Sequence, residues 1–243
     1  MSTLFKSEHL KAISPEQEAS LSKSFLANVF SYMTAGLAIT GIVAYVFGTD
    51  MSYLSYLINP ETGSHTMLGY VVMFAPIGFI LLMGTAFRRM SSVGLLLSFL
   101  AFSVIMGMSI SYIFLLYTSA AIYKTFFITA ATFSIMAFVG KTTSTDLSKF
   151  GAYLYMALIG LIIAMVINYF VGSSSMDYII SGIGVLIFTG LTAYDVQKLK
   201  RIGAGVEYGS EEASKLAIWG ALDLYLDFIN LFLFLLRFLG NRN

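Results

Sequence analysis

The chain has 243 residues, of which 58% are hydrophobic and only 11% are charged, and its formal net charge is +1. This small number of polar residues cannot cover the surface of a water-soluble globule of this length. Most of the chain must therefore be surrounded by lipid. The low net charge and the scattered basic residues also argue against a nucleic-acid partner. The absence of cysteine excludes disulfides and thiolate metal sites.

Residues 1–24 are polar and carry charges of both signs. The apolar run that follows them is too long for the core of a signal peptide, so we expect the first span to remain in the mature protein. This predicts a polar N-terminal segment on the cytoplasmic side, ahead of a membrane domain that covers residues 25–239 and a short tail at 240–243.

The membrane domain is predicted from the length of its apolar runs. Residues 24–49, 90–123 and 150–176 contain no Asp, Glu, Lys or Arg, and each run exceeds the roughly 20 residues that a helix needs to cross hydrocarbon. The runs are continuously apolar rather than alternating, which favours helices over a barrel. The pattern predicts an all-α integral membrane protein, a bundle of seven transmembrane helices. The predicted spans are 25–47, 67–87, 93–117, 121–140, 150–172, 178–198 and 216–238.

The basic residues orient this bundle. A cytoplasmic N-terminus leaves only Lys124, Arg237 and Arg242 of the fourteen basic residues on the outer side, in agreement with the positive-inside rule. The prediction is therefore an integral membrane protein with its N-terminus in the cytoplasm.

Two aspartates within the predicted membrane spans lie where a charged carboxylate is energetically unfavourable. Asp195 lies near the inner end of the sixth span and Asp227 lies in the middle of the seventh. Charges inside a membrane cost several kcal/mol unless they pair, face water or take up a proton. Asp223, Asp227 and Asn230 follow each other at intervals of four and three residues, so they share one face of the last helix.

A pair of neighbouring carboxylates would share a proton and respond to pH. At about 1.5 Å of rise per residue, Asp195 and Asp227 reach one depth only if the sixth helix continues to about residue 201 and the seventh begins near Trp219. Asp223 is a competing partner for Asp195. A purely structural alternative pairs Asp195 with Lys198 at the membrane interface.

The sequence around these aspartates resembles that of a known protein family. The segments TAYDVQK, at residues 192–198, and LDLYLDFINLF, at residues 222–232, closely resemble the Bax inhibitor-1 family, also called the transmembrane Bax inhibitor motif family. The similarity is strongest over residues 189–239 and covers nearly the whole chain.

This resemblance implies a pH-sensitive calcium leak channel whose seventh helix is enclosed by the other six. It implies that Asp195 and Asp227 are the pH sensor and the cation path, with calcium held only transiently and no tightly bound cofactor. An arginine that latches onto this pair in the closed state best matches Arg88, with Arg89 as an equally basic neighbour. Asp223 departs from the small or hydroxyl residue that is common at its position in the family.

Two other functions remain open. Intramembrane aspartyl proteases also use a Tyr-Asp pair in one helix, as in Tyr194-Asp195, but Asp227 lacks their glycine-containing GxGD motif, so we expect no enzymatic activity. The family is also associated with regulation of cell death or of membrane proteases through binding to other membrane proteins. The expected partners are thus the lipid bilayer, calcium, protons and other membrane proteins. The expected location is a bacterial inner membrane, with an endoplasmic-reticulum membrane as the second choice.

Overall fold

The computed structural model describes residues 15–207 and 209–240. The helices of this part of the chain are α1 (Pro15–Thr49), α2 (Met51–Leu54), α3 (Met67–Ala86), α4 (Ser92–Ile110), α5 (Ile113–Leu116), α6 (Ser119–Thr142), α7 (Ser148–Val171), α8 (Ser174–Gly205) and α9 (Glu211–Leu239).

The prediction of an all-α membrane protein is confirmed for the described residues. Their only β-type pairing is an isolated bridge between Ile58 and His65. Six helical segments are long and apolar enough to cross a membrane: Ala19–Thr49, Met67–Ala86, Ser92–Leu116, Ser119–Thr142, Ser148–Val171 and Ser174–Gly205. The helix α9 is not one of these six.

The N-terminal polar segment is partly helical. Residues 1–14 lie outside the described part of the chain, whereas residues 15–24 form the first turns of α1. The Ser22 hydroxyl donates a hydrogen bond of 2.8 Å to the carbonyl of Lys200. The start of α1 is therefore bound to the end of α8.

Most of the long helices begin at a hydroxyl residue. The side chains of Thr66, Ser91, Thr118, Ser173 and Ser210 each accept a hydrogen bond from the backbone N–H three residues further on. These caps satisfy one of the N–H groups that a helix leaves unpaired at its start. They mark the start of each of these helices.

The last long helix contacts four other helices. The helix α9 packs against α8, α1, α6 and α4, and most of its residues between Ala213 and Leu236 are buried. Tyr225 is fully buried, and its ring makes edge-to-face contacts with Phe99 and Phe102 at 5.6 Å between centroids. These contacts hold one side of α9 against α4.

A buried chain of hydrogen bonds fixes the same side of α9. The Tyr225 hydroxyl lies 2.6 Å from Oγ1 of Thr40. The Thr40 hydroxyl in turn donates a hydrogen bond of 2.9 Å to the carbonyl of Ser103. Since the hydrogen of Thr40 goes to Ser103, the phenol is the donor to Thr40. The chain links α9, α1 and α4 and leaves the opposite face of α9 for Asp223 and Asp227.

Candidate functional site

Asp195 lies on the buried side of α8 and is 2% exposed. The hydroxyl of Tyr155, on α7, lies 3.4 Å from both of its carboxyl oxygens and donates to them. Nζ of Lys198, one turn further along α8, lies 3.6 Å from Oδ1 of Asp195. Asp195 is therefore held between a phenol and an ammonium group.

Asp227 lies in the centre of α9 and is 5% exposed. Its carboxyl group borders a cavity that Asp195 also lines, while its Oδ2 is buried and has no hydrogen-bond partner in the described structure. Carboxylates only accept hydrogen bonds, so a bond between the two groups would require a proton on one of them. The structure thus places the two aspartates in the wall of one cavity.

Asp223, one turn before Asp227, meets a different partner. Its Oδ2 lies 3.5 Å from Nζ of Lys198. Lys198 therefore bridges Asp195 and Asp223, and its side chain is 40% exposed. The alternative pairing of Asp195 with Lys198, considered from the sequence, is therefore present in the structure.

These groups line one cavity between α7, α8 and α9, which we call the acidic cavity. Its volume is about 350 Å³. Its polar lining consists of Tyr155, Asp195, Asp223, Asp227 and Asn230, and the remaining lining residues are apolar. The Asn230 side chain donates a hydrogen bond of 2.8 Å to the carbonyl of Leu226 in its own helix.

The two aspartates line one cavity although the helix ends differ from the prediction. The helix α8 continues to Gly205 and α9 begins at Glu211 rather than near Trp219. By rise per residue, Asp195 lies about 15 Å from the end of α8 and Asp227 about 24 Å from the start of α9. The connecting residues 206–210 can span this offset of about 9 Å, because an extended chain covers about 3.3 Å per residue.

Two glycines let neighbouring helices approach α8 just before Asp195. A Cβ atom on Gly140, in α6, would collide with the carbonyl oxygen of Ala193, and a Cβ atom on Gly151, in α7, would collide with the ring of Tyr194. The backbone contact at Gly140 leaves no room for a side chain to move aside. The position of Asp195 is therefore set by close backbone packing.

Gln197 fixes the connection between α6 and α7 onto α8. It is 5% exposed, its Nε2 donates to the carbonyl of Thr145 at 2.8 Å, and its Oε1 accepts from the backbone N–H of Leu147 and from Arg201, both at 2.9 Å. Gln197 belongs to the TAYDVQK segment, but its role is not apparent from the sequence. A glutamine next to an intramembrane aspartate, facing a short polar loop, was the available signal.

The same connection carries an exposed ion pair between Asp146, which lies outside the membrane-spanning segments, and Arg201 near the end of α8. A guanidinium nitrogen of Arg201 lies 2.7 Å from Oδ1 of Asp146. Hydrogen bonds from the backbone and hydroxyl of Ser148, together with Arg201, hold the pKa of Asp146 well below its usual range. Asp146 therefore remains charged at any physiological pH.

The structure does not bring the two predicted latch arginines to the aspartates. Arg88 and Arg89 are exposed at the end of α3, and neither takes part in the ion pairs found within the described ranges. Phe87 instead packs edge-to-face on Trp219 with 5.6 Å between centroids. The cation that contacts the acids is Lys198.

Sequence reasoning missed Tyr155 as well. A tyrosine in a continuously apolar span gives no local signal, because α7 also carries Tyr153 and Tyr169. Its role follows only from the packing of α7 on α8.

The acidic cavity is not a closed metal site. Within residues 15–207 and 209–240, no group of three or more His, Cys, Asp or Glu side chains is arranged to hold a metal ion. Calcium prefers six to eight oxygen ligands, so a cation in this cavity would keep part of its water.

The fold and this site define a helical membrane protein with a cluster of acids buried between its last helices. The chain belongs to the Bax inhibitor-1 family, since it matches the family described as "Inhibitor of apoptosis-promoting Bax1" over residues 22–243.

Three bacterial relatives resemble the chain over most of its length. It is 40% identical over 227 residues to an uncharacterized protein of Borreliella burgdorferi, with 93% of this chain and 96% of the relative covered. It is 38% identical over 221 residues to the inner membrane protein YbhL of Escherichia coli K12, with 90% and 92% covered. An uncharacterized membrane protein of Streptococcus pyogenes serotype M1 is 33% identical, with 90% and 93% covered.

Proposed function

We propose that this protein is a pH-sensitive calcium leak channel in a bacterial inner membrane, gated by a proton shared between Asp195 and Asp227. The observation that carries the proposal is the pair of buried carboxyl groups in one cavity. The location follows the name of the Escherichia coli relative. The chemistry follows from general properties of paired carboxyl groups.

The proposal includes a seven-span topology. In this topology α9 is the seventh span and is enclosed by the other six. The N-terminus lies in the cytoplasm. The burial of α9 among α8, α1, α6 and α4 supports this arrangement, and its 29 residues are long enough to cross the bilayer. Enclosure by protein explains how one spanning helix can carry two aspartates and an asparagine.

The gating step is a change of charge in a confined space. With one proton on the pair, the two carboxyl groups share a hydrogen bond and the helices stay close. Loss of that proton places two like charges side by side in a medium of low dielectric constant, and this repulsion favours entry of water or of a cation. Asp195 and Asp227, together with water, can then hold calcium transiently.

Lys198 sets the resting charge of this cavity. It lies between Asp195 and Asp223, so it neutralises part of the negative charge when no other cation is present. An incoming divalent cation competes with Lys198 for these carboxylates. Asp223 supplies a docking point that keeps the ammonium group near the cavity.

The test is calcium flux into liposomes that contain the purified full-length protein and a calcium-sensitive dye, measured across pH. We expect a pH-dependent flux in the wild type that either Asp195→Asn or Asp227→Asn uncouples from pH. Asp223→Asn should alter the flux but keep its pH dependence. Asp50→Asn is the matched control, because Asp50 is an exposed cap of α2 and asparagine caps helices equally well.

An unchanged pH profile in both Asp195→Asn and Asp227→Asn would contradict the proposed gate. Cleavage of a model transmembrane peptide that either substitution abolishes would favour an aspartyl protease instead. Absence of calcium flux in the wild type at every pH would exclude the leak itself.

A further inference from the structure

The helices α7 and α9 flank a gap that extends beyond the acidic cavity. Both helices pack on α8, and α8 forms the floor between them. At the Ser174 end of α8, the gap widens into a second cavity of about 380 Å³, which we call the outer vestibule. Its polar lining includes Tyr112, Asn168, Asp177 and Arg237.

An ion pair stands in the outer vestibule. A guanidinium nitrogen of Arg237 lies 3.4 Å from Oδ1 of Asp177, and both side chains are about one-third exposed. Arg237 is also 5.9 Å from the centroid of the Phe234 ring. This cavity therefore has polar and charged walls although it lies at the end of two apolar spans.

One side chain lines both cavities. Met165, on α7, borders the acidic cavity and the outer vestibule. It packs against a buried apolar cluster that contains Leu231 and Phe234 of α9. Met165 thus lies between two cavities that each contain charged residues, in an apolar part of the lining of both.

The facing surfaces of α7 and α9 have the spacing of continuous helical stripes. On α9, Asp223, Asp227, Asn230, Phe234 and Arg237 are separated by four, three, four and three residues, so they lie on one face. This stripe is about 21 Å long at the helical rise per residue. It covers about two-thirds of a hydrocarbon core of roughly 30 Å.

The stripe on α7 has the same period. Tyr155, Leu158, Ile162 and Met165 are separated by three, four and three residues, and all four line the acidic cavity. On α9 the polar residues lie at both ends of the stripe, with Phe234 before Arg237, whereas on α7 only Tyr155 is polar and the stripe ends at the apolar Met165.

We propose that cations cross the protein along the gap between α7 and α9, with Met165 as the constriction between the outer vestibule and the acidic cavity. This inference rests on the proposed leak function, and it adds the route and the barrier. Apolar constrictions close a pore by excluding water. Methionine suits a movable barrier because its unbranched side chain has several rotatable bonds.

The route is tested by thiol labelling, which needs no ion flux. The chain contains no cysteine, so single-cysteine variants of the full-length protein react at one position only. A charged, membrane-impermeant thiol reagent is applied to the outer face of spheroplasts. We expect Asn168→Cys to react and Leu158→Cys to be protected, and adding Met165→Ala to Leu158→Cys should make it react at least tenfold faster.

The control is Ile159→Cys, because Ile159 is 60% exposed on α7 and does not border either cavity. We expect it to stay unreactive in lipid. Protection of Asn168→Cys, or equal reaction of Asn168→Cys and Ile159→Cys, would overturn the vestibule. An unchanged rate for Leu158→Cys with Met165→Ala would overturn the constriction.

Flux measurements separate this inference from the leak function. Met165→Ala should raise the calcium flux several-fold, whereas Met156→Ala should not, since Met156 is 58% exposed on the same helix and lies outside both cavities. Expected labelling without any calcium flux would reject the leak and keep a water-filled route. Calcium flux that Met165→Ala does not change would reject the constriction alone.

Discussion

The hydrogen-bond chain from Tyr225 through Thr40 to Ser103 should contribute measurably to stability, and its contribution should be non-additive. Tyr225 is 0% exposed and Thr40 is 1% exposed, so neither hydroxyl can bond to bulk water instead. Thr40→Val preserves the shape of the side chain but removes the acceptor of the phenol and the donor to Ser103. Tyr225→Phe removes the phenol and leaves the bond from Thr40 to Ser103 in place.

The expected magnitudes follow from this asymmetry. Thr40→Val leaves a buried O–H without an acceptor, which costs about 1–3 kcal/mol. Tyr225→Phe loses one hydrogen bond between helices, which costs about 0.6 kcal/mol on average in membrane proteins. The double variant has no phenol hydroxyl left without an acceptor. Its loss of unfolding free energy should therefore be about 1 kcal/mol smaller than the sum of the losses in the two single variants.

The assay is unfolding of the purified protein in mixed micelles of increasing dodecyl sulfate content. The intrinsic fluorescence of Trp219 reports the transition, since this is the single tryptophan of the chain and it lies on α9. Thr49→Val is the matched control, because the Thr49 hydroxyl is exposed and bonds only to Tyr45 in its own helix. Single-variant costs that add to the double-variant cost within about 0.3 kcal/mol would refute the reasoning.

Three further outcomes concern the surroundings of Asp195. Gly140→Ala should destabilise the protein by more than about 1 kcal/mol, because the added Cβ atom would collide with backbone. Gly160→Ala is the control and should not destabilise it, because a Cβ atom there meets open space. Unfolding in mixed micelles measures both variants. Gln197→Ala should expose residues 143–147 to proteolysis, and unchanged cleavage would show that its hydrogen bonds do not hold the loop. The lowered pKa of Asp146 means that its contribution to loop protection is present above about pH 4 and is lost as the pH falls towards that lowered pKa. Hydrogen exchange across pH should show this loss in the wild type and low protection at all pH values in Asp146→Asn.

Apolar run length was sufficient to predict the helices but not their neighbours. The predicted span 150–172 corresponds to Ser148–Val171, and the predicted span 67–87 corresponds to Met67–Ala86. Within Ser148–Val171, however, Leu161 is 4% exposed and Ile162 is 52% exposed. Lipid and protein interior are both apolar, so hydrophobic residues alone do not distinguish the two faces.

The helix ends near the acids were the least predictable part of the fold. The polar residues of 199–215 suggested a loop, whereas α8 continues to Gly205 and α9 begins at Glu211. Outside the hydrocarbon, water and caps satisfy helix ends equally well at several positions. The distances of Asp195 and Asp227 from the ends of α8 and α9 are therefore longer than the predicted spans indicate.

The sequence alone determined the solvent of this protein, its helical class and the residues that are unusual in that solvent. Asp195 and Asp227 stand out because ionisable side chains in apolar spans are costly wherever the helices lie. Only the tertiary structure decided that these two carboxyl groups line one cavity, that Lys198 bridges Asp195 and Asp223, and that Met165 borders two cavities. These facts depend on the rotation and offset of α7, α8 and α9, which are set by backbone contacts and buried hydrogen bonds between residues far apart in the chain.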